Sequence, residues 1–173
     1  MKLIISLCAA MAFTTGSARA ASSGNAAQVG GAAQALVIAP AAMTNTGTLR
    51  FGQFVQPTAA GTLVLTPAGG LSATGGMAGN QLIAQTSGGP APGTFQITSN
   101  ANQAFTVYAP TSLTLVNGGS TMTLNNMTGA LTQISGSSTT TIYTLAVGGT
   151  LNVGANQALG TYAGTYTLTT LYQ

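Results

Sequence analysis

Hydrophobic residues along this chain come in short runs. Val, Leu, Ile, Tyr and Phe tend to occupy every second position for a few residues, then give way to Gly, Pro and Asn. Period-two alternation between turn residues is the signature of strands with one buried face. It predicts strands over Leu36–Ala39, Thr48–Val55, Thr62–Thr66, Leu82–Gln85, Thr94–Ser99, Ala104–Ala109, Ser112–Val116, Thr121–Leu124, Ala130–Ile134, Thr140–Val147, Thr150–Val153 and Tyr162–Tyr172. Asn117-Gly118-Gly119 predicts a tight hairpin, because glycine accepts the positive φ that such turns need. Gly148-Gly149 predicts a second hairpin on the same grounds. The glycine pairs between Pro67 and Gly93 predict long loops there. Glycine or β-branched residues interrupt every helical window, and Glu is absent, so no helix is expected. The fold class is all-β, an antiparallel sandwich or barrel. An outer-membrane barrel needs two aromatic girdles, and five Phe and five Tyr are too few for them.

The end of the chain carries the sharpest pattern. Tyr162, Gly164, Tyr166, Leu168, Thr170 and Tyr172 fall on one face; Ala163, Thr165, Thr167, Thr169 and Leu171 fall on the other. The tyrosine face is expected to point to the core. A weaker alternation runs near the start, through Ala27, Val29, Gly31, Ala33, Ala35 and Val37. Residues 21–33 read either as a flexible linker or as an arm able to add itself as a strand to another domain's open edge.

Residues 1–20 have the form of a cleaved export signal. Met1-Lys2 gives a positive start, Leu3 to Phe13 an apolar stretch, and Ala18-Arg19-Ala20 a small-x-small cleavage site. That stretch is too short to cross a bilayer, which takes about 20 residues. The domain organisation expected is a signal over 1–20, an arm over 21–33 and one sandwich over 34–173. Cys8 lies in the signal, so the exported chain is expected to hold together by packing alone.

Charge narrows the function. The chain has no Asp, Glu or His and only three Lys and Arg. Lys2 and Arg19 belong to the signal, leaving Arg50. One Arg cannot replace the counterions of a nucleic acid, so no nucleic acid is expected as partner. Proton transfer, metal ligation and nucleophile activation all need side chains that are missing. No enzyme, no cofactor and no metal site are expected. A chain this close to neutral has little self-repulsion and associates readily. Arg50 reads as a solvated strand residue or as a contact for an anionic partner. Asn126-Met127-Thr128 fits a glycosylation acceptor, a tripeptide common by chance.

Leu49-Arg50-Phe51-Gly52, Gly61-Thr62-Leu63-Val64-Leu65, Val147-Gly148-Gly149-Thr150-Leu151-Asn152-Val153 and Gly160-Thr161-Tyr162-Ala163-Gly164-Thr165-Tyr166 together resemble the secreted bacterial family called domain of unknown function 4402. The ending also resembles subunits of chaperone–usher pili of the spore coat U-like type. Those carry a glycine fourteenth from the end and a penultimate tyrosine, the positions of Gly160 and Tyr172 here. That resemblance implies an immunoglobulin-like sandwich lacking its last strand. A periplasmic chaperone, and then the arm of the next subunit, would fill the gap after delivery to an outer-membrane usher. It implies a groove along Gly160, Tyr162, Tyr166, Leu168, Thr170 and Tyr172, with Val29, Gly31, Ala33, Ala35 and Val37 as donor arm. The leading expectation is therefore a secreted surface-fibre subunit, a fimbria-like protein assembling with copies of itself or related subunits. The alternative is a self-contained secreted adhesin or carbohydrate-binding sandwich, in which Leu36–Ala39 pairs within its own domain. An amyloid-like matrix protein is a third reading, disfavoured by irregular strand spacing.

Overall fold

The computed structural model describes residues 29–79, 82–84 and 88–173. The signal over 1–20, the arm residues 21–28 and Gln85 of one predicted strand lie outside the described residues. The chain divides into two units, one ending at Val37 and the other spanning Ile38–Gln173. In the first unit, residues 29–37 are exposed and belong to no strand.

The second unit is an antiparallel β-sandwich, with no helix among the described residues. Its strands are β1 (Ala42–Gly47), β2 (Gly61–Leu65), β3 (Leu71–Gly75), β4 (Gly93–Asn100), β5 (Phe105–Tyr108), β6 (Ser112–Asn117), β7 (Ser120–Gly136), β8 (Thr140–Val153) and β9 (Thr169–Tyr172). Seven form the large sheet, and β5 pairs with β9 in a small one.

β8 organises the large sheet. Its first half, Thr140–Val147, pairs with β4, and its second half, Gly149–Val153, pairs with β2. Along its other edge it pairs with β7 for nearly its whole length. Register therefore places one apolar row across five strands: Ala73 beside Leu63, Leu63 beside Leu151, Leu151 beside Leu124, and Leu124 beside Leu113. Side chains alternate faces along a strand, so one residue of slip would move this whole row into water. Around the row lies a first core cluster that includes Phe51, Leu65, Met77, Met122 and Val153. A second cluster of Phe95, Ile97, Leu145 and Val147 fills the other half, and Met127 touches both.

Two strand pairs expected to be separate are single strands. Gly148-Gly149 is not a hairpin turn; it lies inside β8, where the strand passes from β4 to β2. A Cβ on Gly148 would collide with the Leu65 carbonyl oxygen and stand 2.8 Å from the Thr66 carbonyl carbon. The glycine is required by close backbone approach, not by turn geometry. Opposite it, β7 runs on through Asn125–Thr128 with a register shift, and Asn126 takes a φ of 49°. This bulge bends both strands together. It also contains the acceptor-like tripeptide.

Other boundaries differ for local reasons. Leu36–Ala39 precedes Pro40, which has no N–H to give a ladder, and is not a strand; β1 begins beyond it. Among the described residues Thr48–Val55 makes only the isolated bridges Arg50 to Ala91 and Phe54 to Leu82, because Gly52 turns the chain at a φ of 81°. The region expected to be loops holds β3, joined to β2 by a tight turn in which Gly69 N–H donates to Thr66 O at 2.9 Å. Asn117-Gly118-Gly119 is the expected hairpin: Asn117 pairs with Ser120, and Gly118 has a φ of 57°.

Candidate functional site

The tyrosine face of the C-terminal segment is half-buried at Tyr162, Tyr166, Leu168, Thr170 and Tyr172, while Ala163, Thr165, Thr167, Thr169 and Leu171 are exposed. Only Thr169–Tyr172 forms a regular strand; upstream, Ala163 bridges to Val116 of β6. The segment thus runs from β6 to β5 and crosses both core clusters. Tyr162 packs on the first; Tyr166 and Leu168 pack on the second.

Gly160 starts the segment with a φ of 134°, and a Cβ there would run into the Asn117 side chain. Asn117 Nδ2 donates to the neighbouring Leu159 carbonyl at 2.9 Å. Tyr162 Oη donates to Ala158 O at 2.8 Å and accepts from Gln157 Nε2 at 2.7 Å. Gln157 Nε2 also donates to Thr121 O at 3.1 Å, tying this corner to β7. Gly164 lies so close to β6 that a Cβ would stand 2.7 Å from Thr114 O. At the far end Thr170 sits opposite Val107 and Tyr172 opposite Phe105. Tyr172 Oη accepts from Asn100 N–H at 3.2 Å.

Between this segment and the segment Thr48–Gln53 lies an open cleft of about 660 Å³. Phe95, Leu113, Leu115 and Leu124 are among its lining, with Tyr162 and Tyr166 on one side and Leu49 and Phe51 on the other. Each wall holds a residue already bridged on one edge. Arg50 and Ala91 exchange two backbone bonds, at 2.8 and 2.9 Å, and Ala163 and Val116 exchange two, at 2.8 and 3.1 Å. In antiparallel pairing, successive residues present their N–H and C=O groups to opposite edges. The backbone groups of Leu49 and Phe51 therefore face away from Ala91, and those of Tyr162 and Gly164 face away from β6.

Of the expected groove residues, Tyr162 and Tyr166 line this cleft. Gly160 borders a neighbouring hollow with Tyr162, Leu168 lines a groove beside β5, and Thr170 and Tyr172 are committed to pairing with β5. Of the expected arm residues, Val29 and Val37 are 88 % and 92 % exposed. Gly31, Ala33 and Ala35 are exposed as well. The opposite wall, Leu49 and Phe51, is not among the expected groove residues. The same alternation marks it, but only topology reveals that among the described residues no strand pairs with its other edge.

Arg50 is exposed at the rim, and its Nε donates to Gly89 O at 3.3 Å. No group of three metal-ligating His, Cys, Asp or Glu side chains occurs among the described residues. No helix there is long and apolar enough to cross a membrane.

Tyr166 lies edge-on to Phe95, with ring centroids 5.9 Å apart. Its hydroxyl is buried over Gly93 and has no hydrogen-bond partner among the described residues. Burial raises its pKa above the ordinary value of 10.0. The folded state then keeps this proton at a pH where the unfolded chain has lost it. Its contribution to stability is complete below about pH 10 and fades as pH rises through the higher folded value. Tyr166→Phe is expected to match or exceed wild-type stability at pH 7, by about 1 kcal/mol, because an unpaired buried hydroxyl is removed. It is also expected to lose less stability between pH 9 and pH 11. Urea melts at the three pH values test both; equal alkaline losses in the two proteins would contradict the assignment.

An antiparallel sandwich with two half-paired extended segments flanking an apolar cleft is the class of domain defined here. The chain belongs to the family described as Domain of unknown function (DUF4402), which matches residues 41–172. Those bounds enclose every strand from β1 to β9. Among curated proteins and among solved structures, none matches the chain.

Proposed function

We propose that this protein is a non-enzymatic, exported structural subunit of a bacterial surface fibre, and that its cleft accepts a β-strand from another chain. The observation that carries the reading is the pair of cleft walls. Both are bridged on their outer edge, at Arg50 and at Ala163, and the apolar lining between them is open. An added strand bonds through its backbone and places every second side chain in the groove. Leu49, Phe51, Tyr162 and Gly164 are the residues whose backbone it would meet.

The arm suits such a role. Its alternate residues Val29, Gly31, Ala33, Ala35 and Val37 are small or apolar and exposed. Burying Val29 or Val37 fully would contribute roughly 1.5–3 kcal/mol each. In this reading a periplasmic chaperone holds the cleft first, an outer-membrane usher exports the subunit, and the arm of a like subunit then replaces the chaperone. The absence of Asp, Glu and His from the sequence agrees with a role without chemistry.

The test compares residues 38–173 alone with the same domain plus a peptide of residues 27–39. The domain alone is expected to be marginal and prone to aggregate. Peptide at 100 times its dissociation constant should add about 2.7 kcal/mol, and Val29→Asp or Val37→Asp in the peptide should reduce that gain. A cooperative, soluble monomer indifferent to the peptide would overturn the reading. If that monomer bound glycans, a self-contained adhesin would take its place.

A further inference from the structure

The large sheet ends in an unprotected edge on the side of β7. Residues Thr128–Gln133 pair in continuous register with β8 on one side, and among the described residues no strand pairs with them on the other. Soluble proteins blunt such edges with Lys, Pro, short strands or a covering segment. The other edges are managed that way. β3 has five residues, β1 follows Pro40 and breaks register between Asn45 and Gly47, and Ala163 covers β6 at Val116. The stretch Thr128-Gly129-Ala130-Leu131-Thr132-Gln133 has no charge and no proline. Leu131 is 45 % exposed, and Ile134 just beyond is 54 % exposed.

Beside this edge the two sheets part over a groove of about 550 Å³, lined by Phe105, Val107, Met127, Leu131, Leu145 and Leu168 among others. β5 borders it and, among the described residues, is itself paired only on its β9 side. A strand laid against β7 would present its inward side chains over this groove.

We infer that the edge Thr128–Gln133 is a self-pairing interface, at which two copies of this chain join antiparallel about a two-fold axis. The occupant is a second copy because the edge fits itself. An uncharged strand meets its own image without like-charge repulsion, and Leu131 of each copy reaches over the groove of the other. An isologous contact of this kind closes on two molecules. The contact is separate from the cleft, which lies between the C-terminal segment and Thr48–Gln53. In a fibre it would join subunits side by side.

A cysteine scan tests it. The chain has one cysteine, Cys8, so single cysteines placed in turn at positions 128–133 in a Cys8→Ser background report only on this edge. Two-fold antiparallel pairing predicts disulfide-linked dimers that peak at one position and fall away on both sides. Dimers at no position, or equally at all six, would overturn the proposal. Ala130→Lys with Thr132→Lys, both at exposed positions, should weaken self-association by at least tenfold in sedimentation and leave the circular dichroism unchanged. Unaltered association would likewise overturn it. If the double variant failed to fold, the cysteine scan would decide alone. Deleting residues 21–37 should leave the crosslinks intact, which separates this contact from arm exchange at the cleft.

Discussion

Replacing Gly148 by alanine is expected to cost about 3 kcal/mol, the upper end of the usual range for overpacking and well above a typical surface substitution. The added methyl would meet backbone, the Leu65 carbonyl oxygen first, with the Thr66 and Leu65 carbonyl carbons at 2.8 and 3.0 Å. No rotamer change relieves a clash with backbone. β2 would have to move away from β8, and five paired positions join those two strands. With a urea slope of roughly 1–3 kcal/mol/M, the midpoint should fall by about 1 M or more. Gly119→Ala is the control, since nothing lies within 4 Å of its added Cβ. Equal midpoints for the two variants would refute the close-crossing account. Gly149→Ala should fall between them, because its nearest neighbour at 2.9 Å is the movable Cδ1 of Leu124.

Leu63→Ala should produce the largest loss among apolar truncations. Leu63 is 0 % exposed and sits between Ala73 and Leu151 in the row that crosses five strands. Buried Leu→Ala changes cost about 2–5 kcal/mol, depending on how far the cavity collapses. Strand pairing on both sides of β2 holds this site open, which favours the upper part of that range. Leu131→Ala, at the sheet edge, should cost far less in the monomer. Chemical denaturation of the two variants gives the comparison, and similar losses would contradict the central position of Leu63.

The contrast between Gly148 and Gly118 explains how far the fold was legible. Both belong to glycine pairs between apolar runs. Gly118 has a positive φ in a hairpin, whereas Gly148 is a place where another strand's backbone passes. Sequence shows a glycine but not its reason, and only the local reason is local. β2, β4 and β6 carry large apolar residues at alternate positions and read clearly. β1 and β3, Ala-Met-Thr-Asn-Thr-Gly and Leu-Ser-Ala-Thr-Gly, are edge strands with little to bury, so their pattern is faint. At Asn125-Asn126-Met127 a bulge interrupts alternation without ending the strand, so one strand reads as two.

The cleft was half legible. Tyr162 and Tyr166 stand on the face that alternation assigned to them. Thr170 and Tyr172 share that face, yet their strand is satisfied by β5. Alternation tells which way a side chain points and says nothing about whether the strand beside it exists. That no described strand pairs beside Leu49 and Phe51 is a property of chain path.

The place of β8 in the chain also sets a timetable. β2 and β4 are made early, but the strand that unites them begins only at Thr140. Until it is synthesised, the two core clusters have no common wall. Pairings between distant parts of a chain form slowly. A polypeptide built in this order can close its sandwich only after most of the chain has been made.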